Sequence, residues 1–227
     1  MATYDLEEQE QIAEIKAWWK QYGNLVVAIV TAASIGVIAW QGWNWYQRGQ
    51  AAKASMVYGV LQKAVADQDL QRVKAASGEL LEKFGGTAYA PLAALSAAKV
   101  MFDAGDAKTA KLQLLWVVDH GEHELRDLAR LRVAAVLLDE KAYDEALRQL
   151  EGGAGAGFST LYLNMRGDLF SAQGKKSEAR EAYQGALARL DQGDAGGKGK
   201  NTLQASQANA AYREVLQLKL DALGEGS

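Results

Sequence analysis

Histidine is scarce and cysteine absent, so the groups able to do acid, base or metal chemistry are soon named: His120 and His123, beside Glu122 and Glu124 in the run HGEHE. These are the donor types of a metal site, but such a site needs at least three ligands that converge. The run falls between two helical segments, where short polar side chains solvate a turn, so neither a metal nor any other cofactor is expected. Two glycine runs, GGAGAG at Gly152–Gly157 and GGKGK at Gly196–Lys200, have the look of phosphate-cradling loops. Neither follows a strand, and the second lacks the Gly-Lys-Ser/Thr ending that opens a helix, so both read as flexible connectors. Arg166-Gly167-Asp168 spells an adhesion tripeptide, yet its glycine falls at a helix-packing position. No catalytic constellation emerges, and an enzyme is not expected.

The elements around these residues are read from composition. The chain has 227 residues, 49% hydrophobic and 23% charged, with a single proline, Pro91. Almost nothing breaks helices, so the fold class expected is all-α. A net charge of −3 lacks the electrostatic footprint of a nucleic-acid binder, and no nucleic-acid partner is expected.

Gln21 to Gln47 is a run of 27 residues without a charge, long enough for a helix to cross the ~30 Å hydrocarbon core of a bilayer. Five of the six tryptophans (Trp18, Trp19, Trp40, Trp43, Trp45), with Tyr22 and Tyr46, bracket it as an aromatic belt does. Its acidic start and length favour an uncleaved anchor over a signal peptide. The expected division is therefore an N-terminal segment over residues 1–21, a transmembrane helix over 22–47 and a helical domain over 48–227. Lysine and arginine are balanced across the span, so charge assigns no orientation. Within the span Ala28, Ala32 and Gly36 recur every four residues. They form a small-residue strip that admits a second helix or simply faces lipid.

Residues 48–227 carry a period. Thr160–Gly193 places Gly167, Phe170, Gly174, Ala179, Tyr183 and Ala186 at the packing offsets of a 34-residue tetratricopeptide repeat. The same offsets over 91–124 select Ala98, Met101, Gly105, Ala110 and Leu114, and over 127–160 Ala134, Leu137, Ala146 and Leu150. A divergent helix pair is expected over 50–84, and a capping helix over 201–223 begins at Asn201 and Thr202. The first helix of each pair lines the inner face of such an array, which puts Leu95, Lys99, Phe102, Leu131, Arg132, Ala135, Asn164 and Asp168 there. These residues either receive an extended peptide or only solvate that face.

The acidic start, QEQIAEIKAWWKQYGN, the single span, then AYAPLAALSAAKVMFDAGD, RLRVAAVLLDEKAYDEAL and YLNMRGDLFSAQGKKSEAREAYQGAL, resemble in that order the YfgM family of bacterial inner-membrane tetratricopeptide-repeat proteins. Its characteristic helix start is matched by Met165–Asp168, and the likeness covers essentially the whole chain. The resemblance implies an ancillary subunit of the SecYEG translocon in the bacterial inner membrane, with a cytoplasmic N-terminus and periplasmic repeats. It implies as partners the translocon, a periplasmic chaperone or foldase such as PpiD, and secreted or outer-membrane client polypeptides. In some members the cytoplasmic end is linked to regulated turnover and envelope-stress signalling. The expectation is a non-catalytic scaffold linking emerging chains to periplasmic chaperones. The alternative is a self-associating structural membrane protein of envelope organisation or cell division.

Overall fold

The computed structural model describes residues 2–155, 157–192 and 203–224. The described residues form helices and turns, with no strand among them. The chain divides into two compact units, residues 1–52 and 53–227.

The first unit belongs to one long helix, α1 (Ala2–Ala66). It contains a stretch long and apolar enough to cross a membrane. Ser34, a hydroxyl inside that stretch, donates to the Val30 carbonyl at 2.8 Å, so the helix satisfies it internally. Trp18 stands 5.8 Å from Tyr22, and Trp43 stands 6.1 Å from Tyr46, ring centre to ring centre. The pair expected over 50–84 has no break at its start, because α1 continues unbroken through residue 50 to Ala66.

The second unit comprises the end of α1, then α2 (Leu70–Phe84), α3 (Tyr89–Asp103), α4 (Ala107–His120), α5 (His123–Asp139), α6 (Tyr143–Gln149), α7 (Ser159–Ala172), α8 (Lys176–Asp191) and α9 (Leu203–Ala222). Helices α3 and α4, α5 and α6, and α7 and α8 occupy the three segments with the tetratricopeptide period. Alanines at the offsets let the paired helices approach: Ala98, Ala110, Ala134, Ala146, Ala179 and Ala186 are all buried. Helix α6 has 7 residues where the other second helices have 14 to 16. The Asn201 and Thr202 caps expected for the last helix lie outside the described residues.

One turn chemistry recurs. Gln68, Gly105, Lys141 and Gly174 each take a positive φ of 54 to 84°. The residue after each donates its N–H to the carbonyl five positions back at 2.8–2.9 Å, as in Asp106 to Met101 and Ala142 to Leu137. This is the Schellman closure of a helix, which favours glycine at the left-handed position. The end of α1 and α2 therefore close as the three later pairs do, which makes them the array's first hairpin. Lys141 occupies a conformation that costs an L-residue roughly 1–2 kcal/mol. Lys141→Gly is expected to stabilise the domain by about 1 kcal/mol, part of the gain being lost to the greater freedom of unfolded glycine. A raised thermal midpoint of the full chain checks this, and a lowered one contradicts it.

The concave face as the candidate functional site

Helix α3 is enclosed by α2 and α4, and Ala90, Pro91, Ala93, Ala94, Ala97 and Ala98 let both come close. Leu95 is drawn into the core with them, only 6% exposed, so it does not line the inner face as the repeat offsets suggest. What α3 leaves outside, besides Leu92 near its start, is Lys99, Phe102 and Asp103.

Those three residues border a cavity of about 230 Å³ together with Leu114, Arg132 and Ala135. Its floor is apolar and its rim charged. Lys99 is neutralised by Asp103 one turn on, at 2.6 Å. Arg132 has no hydrogen-bond or ion-pair partner among the described residues. A second cavity of about 540 Å³ shares Lys99 and Asp103 and runs on to Val65, Leu70 and Val100. The structure thus brings Lys99, Phe102, Arg132 and Ala135 together. Leu131 is half-buried against the core beside them.

Asn164 and Asp168 are engaged elsewhere. Lys219 of α9 donates to Asn164 Oδ1 at 2.9 Å and to the two Asp168 oxygens at 2.6 and 2.8 Å. The Tyr183 hydroxyl donates to Asp168 Oδ1 at 2.7 Å. These two side chains are therefore engaged by the chain's own last helix and do not stand open to a peptide as expected. Sequence offsets did not reach Lys219, because its pairing is tertiary and the surrounding helix reads simply as a cap. Ala28, Ala32 and Gly36 lie exposed on α1, and a Cβ at residue 36 would meet no other side chain within 4 Å.

A tetratricopeptide repeat-like domain family matches residues 16–225, so a single match takes in both the apolar helix and the whole array. The ancillary SecYEG translocon subunit of Neisseria gonorrhoeae is 30% identical over 96% of this chain and 98% of its own length. The chain belongs to this family. The ancillary SecYEG translocon subunit of Haemophilus influenzae is 30% identical over 81% of this chain and 90% of its own, and that of Escherichia coli 27% over 95% and 96%. The YfgM resemblance is thus established, and with it a non-catalytic family.

His120 and His123 flank the turn between α4 and α5. His120 stacks on Trp116 at 4.4 Å, with Nδ1 3.0 Å from the Trp116 carbonyl. His123 opens α5 and borders a polar cavity of about 390 Å³ with Arg126, Arg130 and glycines of the 152–157 run. That run is tied down by Asp127, which accepts the Gly155 N–H at 2.9 Å. Among the described residues, no three histidine or acidic side chains form a group able to hold a metal ion.

Burial raises the phenol pKa values of Tyr162, Tyr183 and Tyr212 above the usual 10.0, helped at Tyr162 by the Asp127 charge and at Tyr183 by its bond to Asp168. A raised pKa favours the neutral form in the folded state. The associated stability is therefore intact below pH ~10 and declines as pH climbs from there toward the folded values. Ultraviolet titration is expected to show Tyr162, Tyr183 and Tyr212 ionising late, in step with alkaline unfolding. Ionisation of these three phenols near pH 10 in the folded chain would contradict it.

Proposed function

We propose that this protein is a membrane-anchored, non-catalytic scaffold of the SecYEG translocon, whose periplasmic repeat domain holds emerging polypeptides near periplasmic chaperones. The observation that carries the reading is the groove at Lys99, Phe102, Arg132 and Ala135 on a chain that also bears a membrane-length apolar helix. An apolar floor beside Arg132, which has no ion-pair partner among the described residues, suits extended segments of mixed sequence. Anchoring raises the effective concentration of weak ligands to about millimolar over short reaches, so no single tight site is needed. The likeness to the ancillary SecYEG translocon subunits of Neisseria, Haemophilus and Escherichia supports the translocon as the partner. An N-terminus in the cytoplasm, a foldase such as PpiD as the second partner and secreted or outer-membrane clients belong to the same proposal.

The test is purification of the tagged full chain from native membranes in mild detergent, beside a variant whose residues 22–47 are replaced by an unrelated span. Translocon subunits recovered with the native chain and lost with the swapped anchor are the expected result. Recovery of the protein alone overturns the reading in favour of self-association.

A further inference from the structure

Helix α9 carries two apolar faces. One, with Leu216 and Leu223 buried and Tyr212 and Leu220 packed beside them, seals the α8 side of the array. The other is Ala211, Val215, Leu218 and Ala222, at spacings of four, three and four, and all four are exposed: Val215 is 44% and Leu218 61% exposed. A solenoid's terminal helix ordinarily turns a polar face outward. This one repeats instead the apolar spacing by which helices pack on each other.

The bond from Lys219 to Asn164 and Asp168 fixes the rotation of α9. At about 100° per residue, Leu216 lies to one side of Lys219, while Val215, Ala222 and Leu218 lie to the other. The second face therefore adjoins the inner surface of α7. Its rims differ in charge. Lys219 on the near rim is neutralised by Asp168, and Arg213 is paired with Asp191. Glu214 and Asp221, seven residues apart on the far rim, are exposed and have no ion-pair partner among the described residues.

We propose that Ala211, Val215, Leu218 and Ala222, rimmed by Glu214 and Asp221, dock a basic amphipathic helix of another protein. The stripe spans about 16 Å, enough for three turns of a partner helix. A second copy of α9 would set Glu214 and Asp221 against their own equivalents, and an anionic lipid surface would be repelled by them. A helix with leucines at the same spacing and lysines on its flanks meets both features. This surface is separate from the Arg132 groove and does not depend on it.

The test uses the full chain in phosphatidylcholine nanodiscs, with empty nanodiscs as the control. The probes are two fluorescent peptides of about 18 residues, alike in their leucine stripe, one flanked by lysine and the other by glutamate. The lysine peptide is expected to bind at least about tenfold more tightly, and Val215→Ser with Leu218→Ser to remove about tenfold or more of that affinity. Glu214→Lys with Asp221→Lys is expected to reverse the preference. All substituted positions of α9 are exposed, so the fold is retained, as circular dichroism will register. Equal binding of the two peptides, or indifference to the serine pair, overturns the proposal. So does a molecular mass in light scattering that doubles with concentration and depends on Leu218, because the occupant would then be a second copy.

Discussion

Gly167→Ala will destabilise the repeat domain by about 2 kcal/mol, and Gly167→Val by about 3 kcal/mol. A Cβ at residue 167 would stand 2.3 Å from Tyr183 Cε1, 2.5 Å from Cδ1 and 2.9 Å from Cζ, too close for any real contact. The ring cannot simply withdraw. It is buried, and its hydroxyl is bonded to Asp168, which Lys219 holds in turn. Glycine inside a helix ordinarily costs roughly 0.5–1 kcal/mol relative to alanine, so propensity alone predicts the opposite sign. Gly78, inside α2 with nothing within 4 Å of its Cβ position, isolates that term. Gly78→Ala is expected to gain about 0.5–1 kcal/mol. Thermal melts of the two variants side by side decide the matter, since a domain of this size shifts by about 2–4 °C per kcal/mol. A Gly167→Ala variant as stable as the parent would mean that α7 and α8 are not packed through this contact.

The same contact explains how much of the array was legible in sequence. Gly167 with Tyr183, and the buried alanines of the paired helices, are residue types forced by close helix approach, so their spacing reports the repeats directly. Turns at Gly105 and Gly174 announce themselves for the same reason. Those at Gln68 and Lys141 carry no glycine, and the first hairpin read as divergent because its residues fit the packing offsets poorly. Leu95 was misplaced because repeat offsets assign a face to α3 without knowing that α2 and α4 enclose it. Asn164 and Asp168 were placed correctly on α7, but their partner lies 55 and 51 residues away, beyond the reach of any periodicity. The long apolar helix was the clearest element of all, since a membrane-length segment is marked by length, absence of charge and aromatic ends together.

Lys219→Met will cost about 2 kcal/mol, and a double-mutant cycle with Asp168→Asn will return a coupling of about 1–2 kcal/mol. The lysine and aspartate side chains are 30% and 23% exposed, between the surface regime, where pairs contribute under about 1 kcal/mol, and full burial, where a broken pair costs several. Methionine preserves the stem that passes over the Tyr183 ring, with Nζ 5.6 Å from the ring centre, so the cycle reads mainly the charge. In the single variant, Asp168 keeps the Tyr183 hydroxyl but loses its cation, and a half-buried carboxylate is left undercompensated. The cost should accordingly exceed that of Asp168→Asn, which retains an acceptor for Tyr183. A coupling below about 0.5 kcal/mol would mean that Leu216 and Leu223 hold α9 by themselves. The expected coupling carries a consequence for binding. Loosening Lys219 releases Asn164 and Asp168 to the inner face, so Lys219→Met should gain affinity for lysine-rich extended peptides there even as the domain melts earlier. Stability and binding would then move in opposite directions through one ammonium group, which a helix serving only as a lid would not produce.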